Sequence, residues 1–301
     1  MFLLSKYEGV IYIRVLSLFG GLEVGLDALL DLDIPVEEYH TYEILKPAIE
    51  ISSKRFPFIQ HHGDVKTANW HLHQRNNLII AGFPCINLSK VRQEDKNVNS
   101  GLKGKDSGLF YYLVEALDII KPKYFMVENV EPTNKDDLDT ISQMLGVEPI
   151  SINSNLFVPQ DRHRLYWTNI PVSELPTSCD LALKDIMESN VSEKYFYDKS
   201  FTLHGEDKKI AATLHVNSMD ISKRVYSPNF KCATLTCING GYQEKKVLDN
   251  GRVRKITPVE YERLQGLDDN YTEGYSDTVR RSLVGNSWTK PVIKHIFKGL
   301  L

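Results

Sequence analysis

Ile11-Tyr12-Ile13-Arg14-Val15-Leu16-Ser17-Leu18 is a β-branched, apolar run that breaks at Phe19-Gly20-Gly21 and gives way to a helix-like stretch ending at Leu32. A strand that feeds a glycine turn and then a helix is the opening unit of an α/β sheet. The alternation continues outward. A short strand is expected at Tyr39 to Glu43, a helix from about Lys46 to Arg55, a strand closed by Gly63-Asp64, and the apolar strand Leu78 to Ala81. A helix from Gly108 to Ile120, a strand from Tyr124 to Val127 and a helix from about Asp137 to Leu145 follow. Such a succession predicts a mainly parallel sheet with helices on both faces. From about Pro171 to Gly251 the pattern turns to short pieces broken by Ser227-Pro228-Asn229 and Asn239-Gly240-Gly241, which predicts a second, smaller domain. The run Pro291 to Leu300 is apolar at Val292, Ile293, Ile296 and Phe297, as a helix packing back on the first domain would be. The expected organisation is a discontinuous domain, 1–171 with 276–301, and an inserted domain, 172–275.

Composition narrows the class. The chain is 42% hydrophobic and 25% charged, ordinary for a globular protein. Apolar stretches such as Leu78 to Phe83 fall far short of the roughly 20 residues that span a bilayer. Glu8 and Arg14 interrupt any signal-peptide core after Phe2-Leu3-Leu4, so a soluble, cytoplasmic protein with no membrane partner is expected. The four cysteines have no CxxC pair, and neither a metal site nor a disulfide framework is expected. A net charge of −3 argues against a uniformly basic coat, yet Gly205 to Lys255 holds ten Lys and Arg against five Asp and Glu. That surplus suits a phosphate-facing segment and suits a solvated face equally.

Ligands of open α/β sheets gather at the carboxyl ends of strands, and Phe19, Glu43, Asp64, Cys85 and Glu128 all fall at such ends. Gly20 and Gly21 let the backbone approach a ligand, or only let strand and helix pack closely. Glu43 is placed to accept from a ribose and Asp64 from an adenine amine, unless each merely caps a helix. Pro84-Cys85 delivers a thiol into a loop, and Ile86 to Lys105 is long, polar and glycine-containing, as segments that cover sites are. Phe125-Met126-Val127-Glu128-Asn129-Val130 ends an apolar strand in a carboxylate that needs a partner or a proton. In Gln160-Asp161-Arg162-His163-Arg164 the arginines are two apart, so on a strand both would share a face.

In order and spacing these residues resemble the DNA cytosine-C5 methyltransferase family. Phe19-Gly20-Gly21 looks like its cofactor loop, Pro84-Cys85 its nucleophile motif, Glu128-Asn129-Val130 its acid motif and Gln160 to Arg164 its QxRxR motif. Arg254 to Glu260 with Arg263-Leu264-Gln265-Gly266 resembles the segment that positions the recognition domain, and Gly285-Asn286-Ser287 matches the C-terminal cofactor motif. The likeness is to type II prokaryotic or phage enzymes, with some features of the animal de novo branch. Ile44 departs from the larger residue many members carry there, and the loop after Cys85 is longer than in the smallest members.

The resemblance implies a Rossmann-like S-adenosylmethionine-dependent methyltransferase with a target-recognition domain, yielding S-adenosylhomocysteine. It implies Cys85, Glu128, Arg162 and Arg164 as catalytic residues, with Arg164 beside the thiolate and Arg162 holding Glu128 or the base carbonyl. Phe19, Gly20, Gly21, Glu43, Asp64, Pro84, Leu109, Asn286 and Ser287 would bind the cofactor, and Ser89 and Gln160 would meet DNA. Double-stranded DNA is the implied partner, its cytosine flipped out, with a restriction endonuclease as functional companion and no stable complex. The alternatives are a transfer-RNA cytosine methyltransferase sharing all these motifs and a catalytically silent DNA-binding accessory protein. An NAD-binding oxidoreductase would explain only the glycine loop and the acid after it.

Overall fold

The computed structural model describes residues 12–84, 101–103, 107–238 and 240–301, which divide into two compact units. The first comprises the chain up to Ile152 with His163–Ser173 and Ile293–Leu301. Its elements begin with β1 (Ile13–Leu18), α1 (Val24–Leu30), β2 (Val36–Tyr42), α2 (Lys46–Arg55), β3 (Gln60–His61) and β4 (Leu78–Ala81). They continue with α3 (Phe110–Ile120), β5 (Tyr124–Asn129), α4 (Lys135–Leu145) and β6 (Ile150–Asn153). After β7 (Gln160–Asp161), which belongs to the second unit, comes β8 (His163–Thr168).

Seven strands form one sheet in the order β3-β2-β1-β4-β5-β8-β6. β1 pairs parallel with β2 and β4, β2 with β3, and β4 with β5, while β8 runs antiparallel to β5. The chain moves outward from β1 through β2 to β3, then returns to lay β4 on the other side of β1. That reversal makes the carboxyl ends of β1 and β4 a topological switch point, where ligands of such sheets bind. Every residue of β4 is buried, and α3 and α4 contribute Phe110, Leu113, Ala116, Ile141 and Leu145 to the core over β1, β4 and β5. Trp167 of β8, fully buried, donates its indole N–H to Ser142 Oγ at 3.0 Å.

The second unit comprises Asn153–Arg162 and Glu174–Val292. It holds β9 (Phe201–Leu203), β10 (Ile210–Leu214), α5 (Asp220–Lys223), β11 (Arg224–Tyr226), β12 (Cys232–Ala233), β13 (Lys246–Asp249), β14 (Arg252–Lys255), α6 (Pro258–Leu264) and α7 (Asp277–Asn286). Five strands order as β14-β13-β11-β10-β9, and β12 pairs with β7. Asn250 and Gly251, with φ of 47° and 77°, turn β13 into β14, the positive φ at both positions that a type I′ two-residue hairpin needs. α6 begins in a capping box between Thr257 and Glu260 with Pro258 at its first position.

The segment from Ser276 to Val292, expected with the first domain, makes its close contacts inside the second unit. Arg281 Nε donates to Ile256 O at 3.0 Å, and a methyl group at Gly285 would stand 2.4 Å from Thr236 O. The chain joins the first unit from Ile293, within α8 (Lys290–Phe297). There Lys294 Nζ meets Asp31 at 3.1 Å, and Gly299 lies so close to Pro171 that a Cβ would fall 1.9 Å from its carbonyl oxygen.

Three of the ten basic residues between Gly205 and Lys255 are internal and three more are paired at the surface. Lys246 and Arg254 have no exposed surface, Lys245 is buried, and Arg224, Arg252 and Lys209 pair with Asp220, Glu193 and Asp161. Among the described residues no helix is long and apolar enough to cross a membrane.

Candidate active site

At the end of β1 the backbone is forced into the left-handed region three times, at Phe19 (φ 60°), Gly21 (57°) and Glu23 (54°). Phe19 N donates to Tyr42 O, and Gly21 N donates to Glu43 Oε2 at 2.8 Å. Glu43 Oε1 accepts from the amides of Ile44 and Leu45, both at 2.7 Å. An ionised carboxylate has about four acceptor positions, so Glu43 is fixed in orientation by three amides and keeps capacity for a ligand hydroxyl. Beside it Ile44 is 68% exposed, an apolar side chain left uncovered next to the acid. Asp64 spends Oδ1 capping the turn that follows, accepting from Lys66 N at 3.0 Å. Leu109, half-buried, precedes α3 and packs with Phe19 against the core of this unit.

Glu23 was not legible as part of this loop. It is fully buried, and Ser17, Tyr39 and Thr41 donate hydroxyl hydrogens to its carboxylate. Burial, opposed by those hydrogen bonds, raises its pKa from 4.5 to about 7. Gly20 is required for a reason other than positive φ: a Cβ there would sit 2.0 Å from Glu23 Oε1. Only the three hydroxyl-bearing strand residues could have signalled a buried acid, and nothing in their spacing singles them out.

The neighbouring strand ends carry the second part. Parallel pairing sets Ala81 of β4 beside Val127 of β5, so the chain leaving toward Pro84 runs alongside Glu128 and Asn129. Asn129 Nδ2 donates to Phe83 O at 3.0 Å while its Oδ1 accepts from Val130 N, tying the two strand exits together. Antiparallel pairing of Asn129 with Leu165 brings Arg164 to the same edge, where its Nε lies 2.9 Å from Glu128 Oε1. Glu128 is nearly buried, so the carboxylate the sequence left in need of a partner has one. Arg164, expected beside the thiolate, is thus the residue that pairs with the acid in this unit. Cys85, Ser89 and most of Ile86 to Lys105 lie outside the described residues. Of the other cysteines, Cys232 is buried, which pushes its thiol up to about 12, too high for a neutral-pH nucleophile.

In the second unit, Arg162 is buried and directs its guanidinium at three backbone carbonyls, those of Leu235 (2.9 Å), Gly285 (3.2 Å) and Ser287 (3.0 Å). Arg162 itself precedes β8, so the two arginines are not a pair on one strand face as expected. Gln160, expected to meet DNA, has no exposed surface. Its amide donates to Leu264 O and Gln265 Oε1, and its oxygen accepts from Leu235 N. This corrects the expected role: Gln160 is a strut, because burial of both amide atoms demands internal partners. Asn286 ends α7 with its side chain exposed, and Ser287 is buried with its hydroxyl on Val284 O.

A group the sequence did not single out lies in the first unit. His40, His62 and His73 cluster with Tyr42, and burial, with mutual repulsion, lowers the pKa of His73 to about 4. Burial likewise lowers His40 and His62.

Against this geometry, the model of the C-5 cytosine-specific DNA methylase family matches residues 13–301. Among curated proteins, the type II methyltransferase M1.ScrFI of Lactococcus lactis subsp. cremoris is 26% identical over 88% of this chain and 72% of its own length. The type II methyltransferase M.NgoBI of Neisseria gonorrhoeae is 26% identical over 94% of this chain and 90% of its own. Among solved structures, the Entamoeba histolytica methyltransferase EhMeth superposes with a TM-score of 0.73 at 17% identity, covering 97% of this chain and 99% of that one. The S. pombe Dnmt2 methyltransferase superposes with a TM-score of 0.68 at 17% identity, covering 96% and 99%. The fold is the Rossmann-like α/β fold of these methyltransferases, as the family resemblance implied; the strand-turn-helix alternation had led us to expect its mainly parallel sheet with helices.

Proposed function

Because this chain belongs to the C-5 cytosine-specific DNA methylase family, we propose that it methylates C5 of a flipped-out cytosine in a specific duplex DNA sequence, with Cys85 as covalent nucleophile. Its methyl donor is S-adenosylmethionine. The chemistry of the β1 loop fits that molecule: Glu43 is held by three amides with capacity for a ribose hydroxyl, beside the exposed apolar Ile44. When bound, S-adenosylmethionine supplies an electrophilic methyl group on a sulfonium.

The chain's own residues do the rest. C5 of cytosine is a weak nucleophile until something adds at C6. The Cys85 thiolate forms a bond to C6 while Glu128, as the carboxylic acid, donates the hydrogen on Oε2 to N3, so charge gathering on the ring is met as it develops. Arg164 orients Glu128 by holding Oε1. C5, now carrying the electron density, would take the methyl group as the S–CH3 bond breaks, with S-adenosylhomocysteine as the leaving group. The C5 proton then leaves to water, the C6–S bond breaks, and the thiolate is restored. C6 is inaccessible within a duplex, so the base must leave the stack.

One observation carries this proposal: the ion pair of Glu128 and Arg164 beside the Asn129 clamp on the strand exit that leads to Cys85. Phe19, Gly20, Gly21, Asp64, Pro84, Leu109, Asn286 and Ser287 remain the proposed cofactor residues, and 172–275 the proposed source of sequence specificity. The relatives' names as type II methyltransferases support a methyl-transferring enzyme; a cytoplasmic location and a functional companion endonuclease without a stable complex belong to the proposal.

The test is tritiated methyl transfer to unmethylated duplex DNA and, in parallel, to transfer RNA, with wild type beside Cys85→Ser and bisulfite sequencing of the DNA. Label at cytosine in one recurring DNA context, lost in the variant, is expected. Transfer to RNA alone would replace the substrate, and transfer to neither would leave a silent binding protein.

A further inference from the structure

Five of the nine histidines lie between positions 40 and 73, and the fold brings three of those five together. His40 comes from β2, His62 follows β3, and His73 ends the 3-10 turn Trp70–His73. One ring nitrogen of each lies within 4.8 Å of the other two. His40 Nδ1 and His62 Nε2 are 2.9 Å apart with the rings stacked, and His73 stands edge-on to both at centroid distances of 5.0 and 5.1 Å.

Two neighbours orient the trio. Glu38 lies 3.9 Å from the other nitrogen of His40, Nε2, beyond hydrogen-bond length but on the side from which a carboxylate that closed further would steer a ligating imidazole. Tyr42, two residues along β2 and so on the face of His40, places its hydroxyl 3.1 Å from His73 Nε2. His73 is almost wholly buried, and its Nδ1 makes no hydrogen bond of good geometry among the described residues, although the Asn76 side chain stands close enough to act on its titration. His62 is exposed, which leaves the cluster open to solvent on one side. None of these groups has a part in the methyl transfer.

We propose that His40, His62 and His73 bind one transition-metal ion of the zinc class, with water in the remaining position. An all-imidazole set selects borderline ions such as zinc, nickel or copper over calcium and magnesium, which require oxygen ligands. Two nitrogens on one tetrahedral zinc at about 2.0–2.1 Å lie roughly 3.4 Å apart, so His40 and His62, at 2.9 Å, need to separate by about half an ångström, and His73, within 4.8 Å of them, needs to close by at most about 1.4 Å. The ion would join β2, the segment after β3 and the Trp70–His73 turn, the elements that lead into Glu43 and border Asp64. Cysteine spacing predicts no metal site, but it bears only on thiolate ligands, and the donors here are imidazoles.

Chelator-treated protein is titrated with zinc chloride in a calorimeter, beside His62→Ala and His40→Ala. One equivalent should bind wild type and raise its melting temperature, with affinity at least about tenfold weaker in each variant. His62 is exposed, so its removal leaves the core intact, and a zinc-free melt of the variant matching that of wild type checks this. If His62→Ala melts early, His62→Asn serves in its place. No binding to wild type, or equal stoichiometry and affinity in the variants, would overturn the proposal and leave a hydrogen-bonded imidazole stack.

Discussion

Replacing Glu23 by Gln should change how stability depends on pH, by an amount set by the burial of one carboxyl. In the folded protein its pKa is about 7 against 4.5 for the free group. The folded state therefore binds a proton more tightly than the unfolded chain, and stability falls as pH rises through the interval between those two values. Each pH unit of that interval is worth about 1.4 kcal/mol, so the whole loss is on the order of 3 kcal/mol. Below about 4.5 the contribution is fully present, and above about 7 it is gone. Gln keeps the shape, accepts from the hydroxyls through its oxygen, donates through its NH2 and does not titrate.

The assay is urea unfolding followed by tryptophan fluorescence at several pH values across that interval, for wild type and Glu23→Gln. His73, held down to about 4 by burial, contributes in the opposite sense, destabilising the folded state as pH falls below its free value of 6.5. That contribution is common to both proteins and cancels in their difference. The advantage of Glu23→Gln over wild type should grow by about 3 kcal/mol from the acid to the neutral side. A difference that stays flat would refute the argument, and so would one that grows toward acid.

Gly20→Ala should lower stability by roughly 1–3 kcal/mol, because the new methyl would have to displace a carboxylate already fixed by three hydroxyls; a thermal melt checks it, and equilibrium dialysis should show weaker S-adenosylmethionine binding. Arg164→Ala removes the cation from Glu128 and should lower kcat by roughly ten- to a thousandfold with little change in KM for the methyl donor, read from initial rates on duplex DNA. Arg254→Ala leaves Glu260 buried without the guanidinium that holds both its oxygens at 2.8 Å. A loss of about 3–5 kcal/mol in urea unfolding is expected.

The alternation of the first 150 residues was legible because β1, β4 and β5 are short, largely apolar and closed by glycine or a polar residue, and these three fall within a residue or two of their expected bounds. Less legible was anything depending on which partner a charged side chain finds. Arg162 and Arg164 are two positions apart and look equivalent in sequence, yet one serves backbone carbonyls and the other a carboxylate. Gln160 reads as a polar group available to a ligand, but register puts it against Leu264 and Gln265, more than a hundred residues later. The ten basic residues between Gly205 and Lys255 look like one feature, whereas Arg254 and Lys246 are internal ties. A local count cannot separate such uses, because burial is decided by non-local contacts.

The candidate site became legible through strand ends instead, and sheet order explains why. Glu43 follows β2, Phe19 follows β1, Pro84 follows β4, Glu128 closes β5 and Arg164 lies on β8, and these five strands are consecutive neighbours. Adjacent strands are about 4.8 Å apart, so the strand of the proposed ribose acceptor and the strand that leads to Cys85 are separated by roughly 10 Å. That separation is the reach of a nucleoside with its 5′ substituent. Residues scattered over nearly half the chain thus meet along one edge without any loop having to carry them there. A parallel sheet turns strand order directly into site order, and a motif spaced irregularly in sequence can be regular in space. The histidine trio follows the opposite logic, since it depends on one strand face and two short turns whose meeting no periodicity announces.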